Sequence, residues 1–280
     1  MAKQKRVWFI TGCSSGFGRA LAEAVIAHGD HLVATARRLS TIADLVAQAP
    51  HRVLTLALDV TKPDSVQVAI AAAITRFNVI DVLVNNAGYG LQGAIEEISD
   101  AEARQQFETN VFGVWNVLRA ALPHLRQAGG GHILNFSSIA GQRASPGLGG
   151  YSASKFAVEG LSEALAQEVA PLGIRVTLVE PGGFRTDWAG RSMVWAAHEI
   201  KEYAATSGRL RQGLKGFHGR QAGDPARAAQ ALLALVELPE PPLRLPLGPD
   251  ALQGIRSKLK EVERDISAQE ALSLSTNFQP

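Results

Sequence analysis

Short apolar runs alternate with stretches of helical periodicity from the start of the chain. Runs of strand length lie at Val7 to Ile10, His31 to Thr35, Val53 to Leu58, Val79 to Val84, His132 to Phe136 and Ile174 to Val179. Between them apolar side chains recur at the three- and four-residue spacing of a helix with one buried face. Leu21 and Val25 follow the first run, Val66, Ile70 and Ile74 the third; Val114, Leu118, Ala121 and Leu125 lie behind the fourth, and Val158, Leu161, Leu165 and Val169 behind the fifth. Thr61-Lys62-Pro63-Asp64 reads as a capping box after the third run, Ser99-Asp100-Ala101-Glu102 opens a helix after the fourth, and Gly173 stops the last. Strand and helix alternating six times predict an α/β fold: a doubly wound parallel sheet with helices on both faces.

From Thr186 to Gly223 the strand rhythm disappears and Trp188, Trp195, Tyr203 and Phe217 appear in partly helical patterning. A long segment outside the sheet is often functional, and residues 184–217 are expected to form a mobile substrate lid. Alternation resumes with a helix at Pro225 to Leu235, a short strand at Leu243 to Leu247, and a helix carrying Ile255, Leu259, Val262 and Ile266, expected as a C-terminal helical extension over 249–270. With no repeat, low-complexity tract or linker, residues 1–280 are expected to be one domain. Hydrophobic residues make up 46% of the chain and charged ones 19%, enough to build a core. A net charge of +2 without runs of like charge speaks against nucleic acid as a partner. One cysteine excludes an internal disulfide and a cysteine-rich zinc site, and no metal is expected. No apolar run approaches a membrane span and MAKQKRVWFI has no signal-peptide core, so a cytoplasmic protein is expected.

Thr11-Gly12-Cys13-Ser14-Ser15-Gly16-Phe17-Gly18 follows the first strand and opens a helix. Glycines there let the backbone turn tightly and approach a pyrophosphate held at the helix N-terminus, as in Rossmann-type sheets. Taken alone, the turn is also compatible with a simple strand–helix connector, the lesser of the two readings. Tyr151 and Lys155, four apart, share one helix face. Ser138 ends the fifth strand, Asn110 lies in the helix after the fourth, and Asn85-Asn86-Ala87-Gly88 ends the fourth itself. All these marks fall on the C-terminal edge of the sheet. At the end of the second strand, where a carboxylate would bind the adenosine 2′-hydroxyl of NAD, stand Ala36, Arg37 and Arg38. A guanidinium there suits a 2′-phosphate, so NADP is the expected cofactor and NAD the lesser alternative. Ser15, in the Gly-rich turn, adds no second basic residue to that charge.

In order and spacing these marks resemble the short-chain dehydrogenase/reductase family: TGCSSGFG, Asp59-Val60, NNAG, Asn110, Ser138, Tyr151, Lys155, Pro181-Gly182 and Thr186. The resemblance implies that Tyr151 is the general acid/base, Lys155 holds the nicotinamide ribose and lowers the tyrosine pKa, Ser138 positions the substrate oxygen, and Asn110 supports a proton relay through water. It also implies cofactor contacts at Gly12, Ser14, Ser15, Gly16, Phe17 and Gly18, adenine near Asp59 and Val60, and the adjoining ribose near Asn86, Ala87 and Gly88. Pro181, Gly182, Phe184 and Thr186 would lie at the nicotinamide. The chain is thus expected to interconvert an alcohol and a ketone or aldehyde, the alternative being a silent NADP-binding regulatory protein. PGGFRTDW and the longer C-terminus are similar to the branch with 17β-hydroxysteroid and retinol dehydrogenases, implying a bulky apolar substrate. A homodimer or homotetramer through the helices around Val114 and Val158 is also implied.

Overall fold

The computed structural model describes residues 5–217 and 219–278. Strand β1 (Val7–Ile10) leads into α1 (Gly16–His28), β2 (His31–Ala36), α2 (Asp44–Gln48), β3 (Val53–Ala57), α3 (Pro63–Phe77), β4 (Val82–Asn85) and β5 (Gly90–Gln92). Then come α4 (Asp100–Phe107), α5 (Gly113–Gln127), β6 (Gly131–Phe136), α6 (Gly149–Val169), β7 (Ile174–Pro181) and β8 (Met193–Trp195). The chain ends with α7 (Arg209–Phe217), α8 (Pro225–Val236), β9 (Arg244–Leu247), α9 (Pro249–Ala268) and α10 (Glu270–Leu274).

Seven parallel strands form one sheet in the order β3-β2-β1-β4-β6-β7-β9. This is the single-domain, doubly wound Rossmann-type fold. Its strands read as continuous apolar runs because both faces are covered. Along β1, Trp8 and Ile10 join the α1 and α8 side with Leu21, Val25 and Leu232, while Val7 and Phe9 join the α3, α5 and α6 side with Ile70, Val117 and Val158. Truncating a leucine as buried as Leu83 would cost ~2–5 kcal/mol. Strand order reverses between β1 and β4, opening at their C-terminal ends the crevice where such sheets bind ligands.

Three local expectations need correction. Thr61 is not a capping residue: its hydroxyl donates to Asp59 Oδ1 (2.8 Å), and α3 begins at Pro63 without a side-chain cap. The capping box forms instead at α4, where Ser99 Oγ accepts from Glu102 N and Glu102 returns a bond to Ser99 N (2.8 Å). The second correction is α2, five residues anchored by buried Leu45 and too short to show periodicity. Third, the segment after Thr186 does contain a strand, since β8 pairs in parallel with β5 as a separate two-stranded sheet. Among the described residues no helix is long and apolar enough to cross a membrane.

Candidate active site

The turn from β1 to α1 is built on contacts that only glycine permits. Gly12 and Gly16 sit at φ +74° and +58°, where a side chain would be strained. A Cβ on Gly18 would lie 2.4 Å from Gly12 O, so α1 starts hard against the turn. Ser15, at the N-cap, makes no side-chain capping bond, and the first turn of α1 holds no acidic residue. The unmet N–H groups and positive end of the helix dipole are therefore left for an anion. Thr11 and Asn86 weld this turn to the β4 loop: Asn86 Nδ2 donates to Thr11 O (2.9 Å) and Gly12 O (3.1 Å), and Thr11 Oγ1 accepts from Asn86 N and Ala87 N. Cys13 is buried there, its thiol pushed up to about 12 by burial.

A cavity of about 1130 Å³ runs along this edge of the sheet. Small-molecule pockets span ~300–1,000 Å³, so there is room for a nucleotide and a second molecule together. Ser14, Ser15, Gly16 and Phe17 form its floor, with Asn86, Ala87 and Gly88 beside them. At one end lie Arg37, Asp59 and Val60. Asp59 Oδ1 accepts from Thr61 N and Oγ1, whereas the exposed Arg37 guanidinium makes no ion pair or hydrogen bond among the described residues. At the other end Pro181, Gly182, Phe184 and Thr186 close over Tyr151, Lys155 and Ser138. The Phe184 ring packs on that of Phe17, centroids 4.9 Å apart. A glycine cradle, unmet helix N–H groups and the unpaired Arg37 guanidinium together fit a phosphorylated dinucleotide.

Ser138 caps the turn Ile139–Gly141 by accepting from Ala140 N, which fixes its hydroxyl at the cavity wall. Tyr151 and Lys155 are one turn apart on α6 and both are buried. Burial pushes the Tyr151 phenol up to about 12, outweighing the Ser138 hydroxyl and the Trp188 indole, which pull it down. This departs from the implied lowering by Lys155. The lysine's Nζ lies 5.9 Å from the phenol ring centroid and donates to Phe136 O (2.7 Å). Burial also draws the ammonium down to about 8, with the Glu159 carboxylate opposing.

Two of the expected residues do not reach the cavity wall. Gly18 is packed behind Gly12. Asn110 lies behind Gly88 in a π-helical turn, Glu108–Phe112, inserted between α4 and α5. That extra residue per turn rotates Asn110 inward, where its amide bonds Tyr89 N and O (3.1 and 3.0 Å) and Ser154 Oγ (3.1 Å). Such bulges recur at functional sites.

Other residues at the site, Trp188 apart, have no sequence signal. Asp250, at the start of α9, accepts from Gly183 N (2.6 Å) and so holds the Pro181–Gly183 turn from the far end of the chain. Trp188 covers Tyr151, and Leu148 and Ala140 complete an apolar wall. The segment that carries Trp188 is pinned further along. Ala196 N donates to Gln92 O, Ala197 N to Glu102, and buried Arg211 bonds Gln92 Oε1 (2.6 Å) and pairs with Glu97 and Glu199. Behind Ser137, buried Glu159 and Glu180 share Gln142 and Arg244. Burial, and after it repulsion from Glu159, raise Glu180 to about 7, while burial alone raises Glu159 against the bonds it accepts and the Arg244 charge. Among the described residues no group of three or more His, Cys, Asp or Glu could hold a metal.

The short chain dehydrogenase family profile matches residues 6–196. An oxidoreductase of Botryotinia fuckeliana is 44% identical over 250 residues, 89% of this chain and 90% of that protein. The 3-ketodihydrosphingosine reductase of Bacteroides thetaiotaomicron is 38% identical over 272 residues, 97% and 98% of the two chains. The crystal structure of a short-chain dehydrogenase from Streptomyces avermitilis superposes with a TM-score of 0.92 at 44% identity, covering 98% of this chain and 100% of that one. A short chain dehydrogenase/reductase from Burkholderia phymatum in complex with NAD gives 0.83 at 26% identity, covering 94% and 95%. An alcohol dehydrogenase from Thermococcus sibiricus complexed with 5-hydroxy-NADP gives 0.72 at 30% identity, covering 87% and 96%. Structural neighbours therefore bind either nucleotide.

Proposed function

The chain belongs to the short-chain dehydrogenase family and is an oxidoreductase, and from that premise we propose that it uses NADP to interconvert a bulky apolar alcohol and its ketone or aldehyde. The observation that carries this reading is a neutral, buried phenol beside a fixed serine hydroxyl, facing a cavity with an apolar wall. A phenol held near 12 keeps its proton at neutral pH, which suits donation to a carbonyl oxygen as it becomes an alkoxide. Bound nicotinamide supplies or accepts the hydride. Ser138 orients the carbonyl oxygen toward Tyr151. Lys155, anchored by Phe136 O, holds the ribose and stabilises the phenolate left after proton transfer. Asn110 fixes the Tyr89 backbone and, through Ser154, the α6 helix, and so supports the proton relay from behind the cavity wall.

The NADP preference rests on Arg37, whose free guanidinium lines the cavity with no carboxylate at Ala36. An apolar substrate follows from Leu148, Trp188, Val194, Leu214 and Phe217 on the cavity wall. The similarity to a 3-ketodihydrosphingosine reductase supports a large carbonyl compound. A regulatory protein that only sensed the cofactor would have no need of this acid-base arrangement. Val114 and Val158 are core residues, but the outward faces of the same helices carry half-exposed Trp115 and Phe156, with Phe112 beside them, and a homo-oligomer would bury them. The deciding experiment is NADPH consumption by the purified protein against ketones and aldehydes of increasing apolar size. Rates rising with size support the reading, and consumption with none of them removes it.

A further inference from the structure

The apolar stripe of α9 continues beyond the body it is attached to. Ala251, Gly254 and Ile255 are buried, Gly254 against Ile139, yet from Leu259 onward every described residue is exposed. Leu252, Ile255, Leu259, Val262 and Ile266 nonetheless keep a 3-4-3-4 spacing, which is the seam of a paired helix and not the pattern of a solvated one. Leu259 and Ile266 are each 59% exposed. The same helix carries four acidic and four basic side chains, so it has no net charge to draw it to an anionic membrane.

The flanking charges identify a partner. Setting Leu252, Leu259 and Ile266 at the first seam position places Arg256 and Glu263 on one flank and Lys258 and Asp265 on the other. In an antiparallel pair, like flanks meet. If two copies of α9 cross with Leu259 of each level with Val262 of the other, Lys258 faces Asp265 and Arg256 faces Glu263, each twice. A parallel pair would keep Lys258 against Glu263 but set Asp265 against Glu270, two attractive contacts against two repulsive ones, and push both globular bodies to the same end.

We propose that α9 is a self-association surface that pairs antiparallel with α9 of a second copy of this chain. The interface is isologous and closes on itself, as a two-fold axis requires. Lys258–Glu261 and Arg264–Asp265, the ion pairs now on this face, are exposed and weak, and the side chains are free to re-partner. The pairing is separate from the Trp115 and Phe156 face, so a chain using both would be a tetramer.

Sedimentation velocity on the full chain tests this. Leu259→Glu with Ile266→Glu should halve the sedimenting mass while the far-ultraviolet circular dichroism of the folded chain stays unchanged, because both side chains are exposed on their own body. Lys258→Glu alone should raise the concentration of half-association roughly tenfold, and adding Asp265→Lys should restore it. Equal masses for wild type and the double-glutamate variant would overturn the proposal, as would charge reversal without effect. So would co-flotation of the wild type, lost in that variant, with phosphatidylcholine–phosphatidylserine vesicles, which would assign the stripe to lipid.

Discussion

The Trp188 indole lies over the phenol of Tyr151, ring centroids 5.3 Å apart and tilted by 54°. One segment thus supplies both the cover of the proposed proton donor and part of the apolar wall. Trp188→Ala is expected to raise KM for bulky apolar substrates about tenfold, of the order of a lost aromatic contact, and to leave small substrates and NADPH affinity little changed. It should also wet the phenol and, because burial outweighs the downward pull of the indole that is lost with it, bring the pKa down from about 12 toward the ordinary value. Steady-state kinetics with a size series would check the first, and ultraviolet titration of the tyrosines the second. A variant that only loses stability would make Trp188 core and not cover.

Tyr151→Phe removes the transferable proton and nothing that binds cofactor. Turnover should fall by ~10²- to 10⁴-fold, while NADPH affinity by fluorescence titration stays within about twofold. Lys155→Ala should lose both. A Tyr151→Phe enzyme keeping a tenth of the rate would end the general-acid assignment.

The pH profile of reduction should carry a descending limb near 8, where Lys155 loses its proton. The sign follows from burial, which favours the neutral amine, against Glu159, which favours the ammonium. Glu159→Gln removes the opposing carboxylate and should move the limb to lower pH. A limb that does not move would separate Lys155 from the titration.

Cofactor choice should reverse in the double variant Ala36→Asp, Arg37→Ala, which adds an acceptor for a ribose hydroxyl and removes the charge facing a phosphate. The ratio of kcat/KM for NADPH and NADH reads this directly. Equal ratios in the unmodified protein would exclude Arg37 as the determinant.

Glu159 and Glu180 should make the protein less stable as pH rises. Glu180 holds its proton to about 7 in the folded state but only to about 4.5 when unfolded, so the folded state binds more protons between those values. Stability should therefore fall through that window by about 3 kcal/mol for Glu180, with Glu159 acting in the same direction. Urea unfolding at pH 5 and pH 8 should show the loss in the wild type and a smaller one in Glu180→Gln.

How much of this was legible beforehand depends on where each interaction's partner lies in the chain. The Gly-rich turn and the Tyr151–Lys155 pair are local, because a tight turn fixes glycine positions and one helix face fixes a four-residue spacing. Asp250 serves a turn 67 positions earlier, and nothing near it in sequence announces that. Asn110 was found through resemblance, but its inward rotation depends on a π-turn that leaves no periodic trace over five residues. Thr61 and Ser99 offered similar caps. Asp59 captured the first hydroxyl, and only the second was free to bond its own helix. Tyr151 kept its expected place but not its expected titration, because burial is a property of the assembled pocket and not of the neighbouring lysine.

The small β5–β8 sheet joins segments roughly a hundred residues apart through three registered pairs. Loop closure over that distance is entropically costly and repaid by few bonds, so this wall cannot nucleate before the seven-stranded sheet has drawn its ends together. It should be the last part to form during folding and the first to exchange amide hydrogen in the native state. The chain would then pass through a state whose nucleotide cradle is complete while its substrate chamber is still unmade.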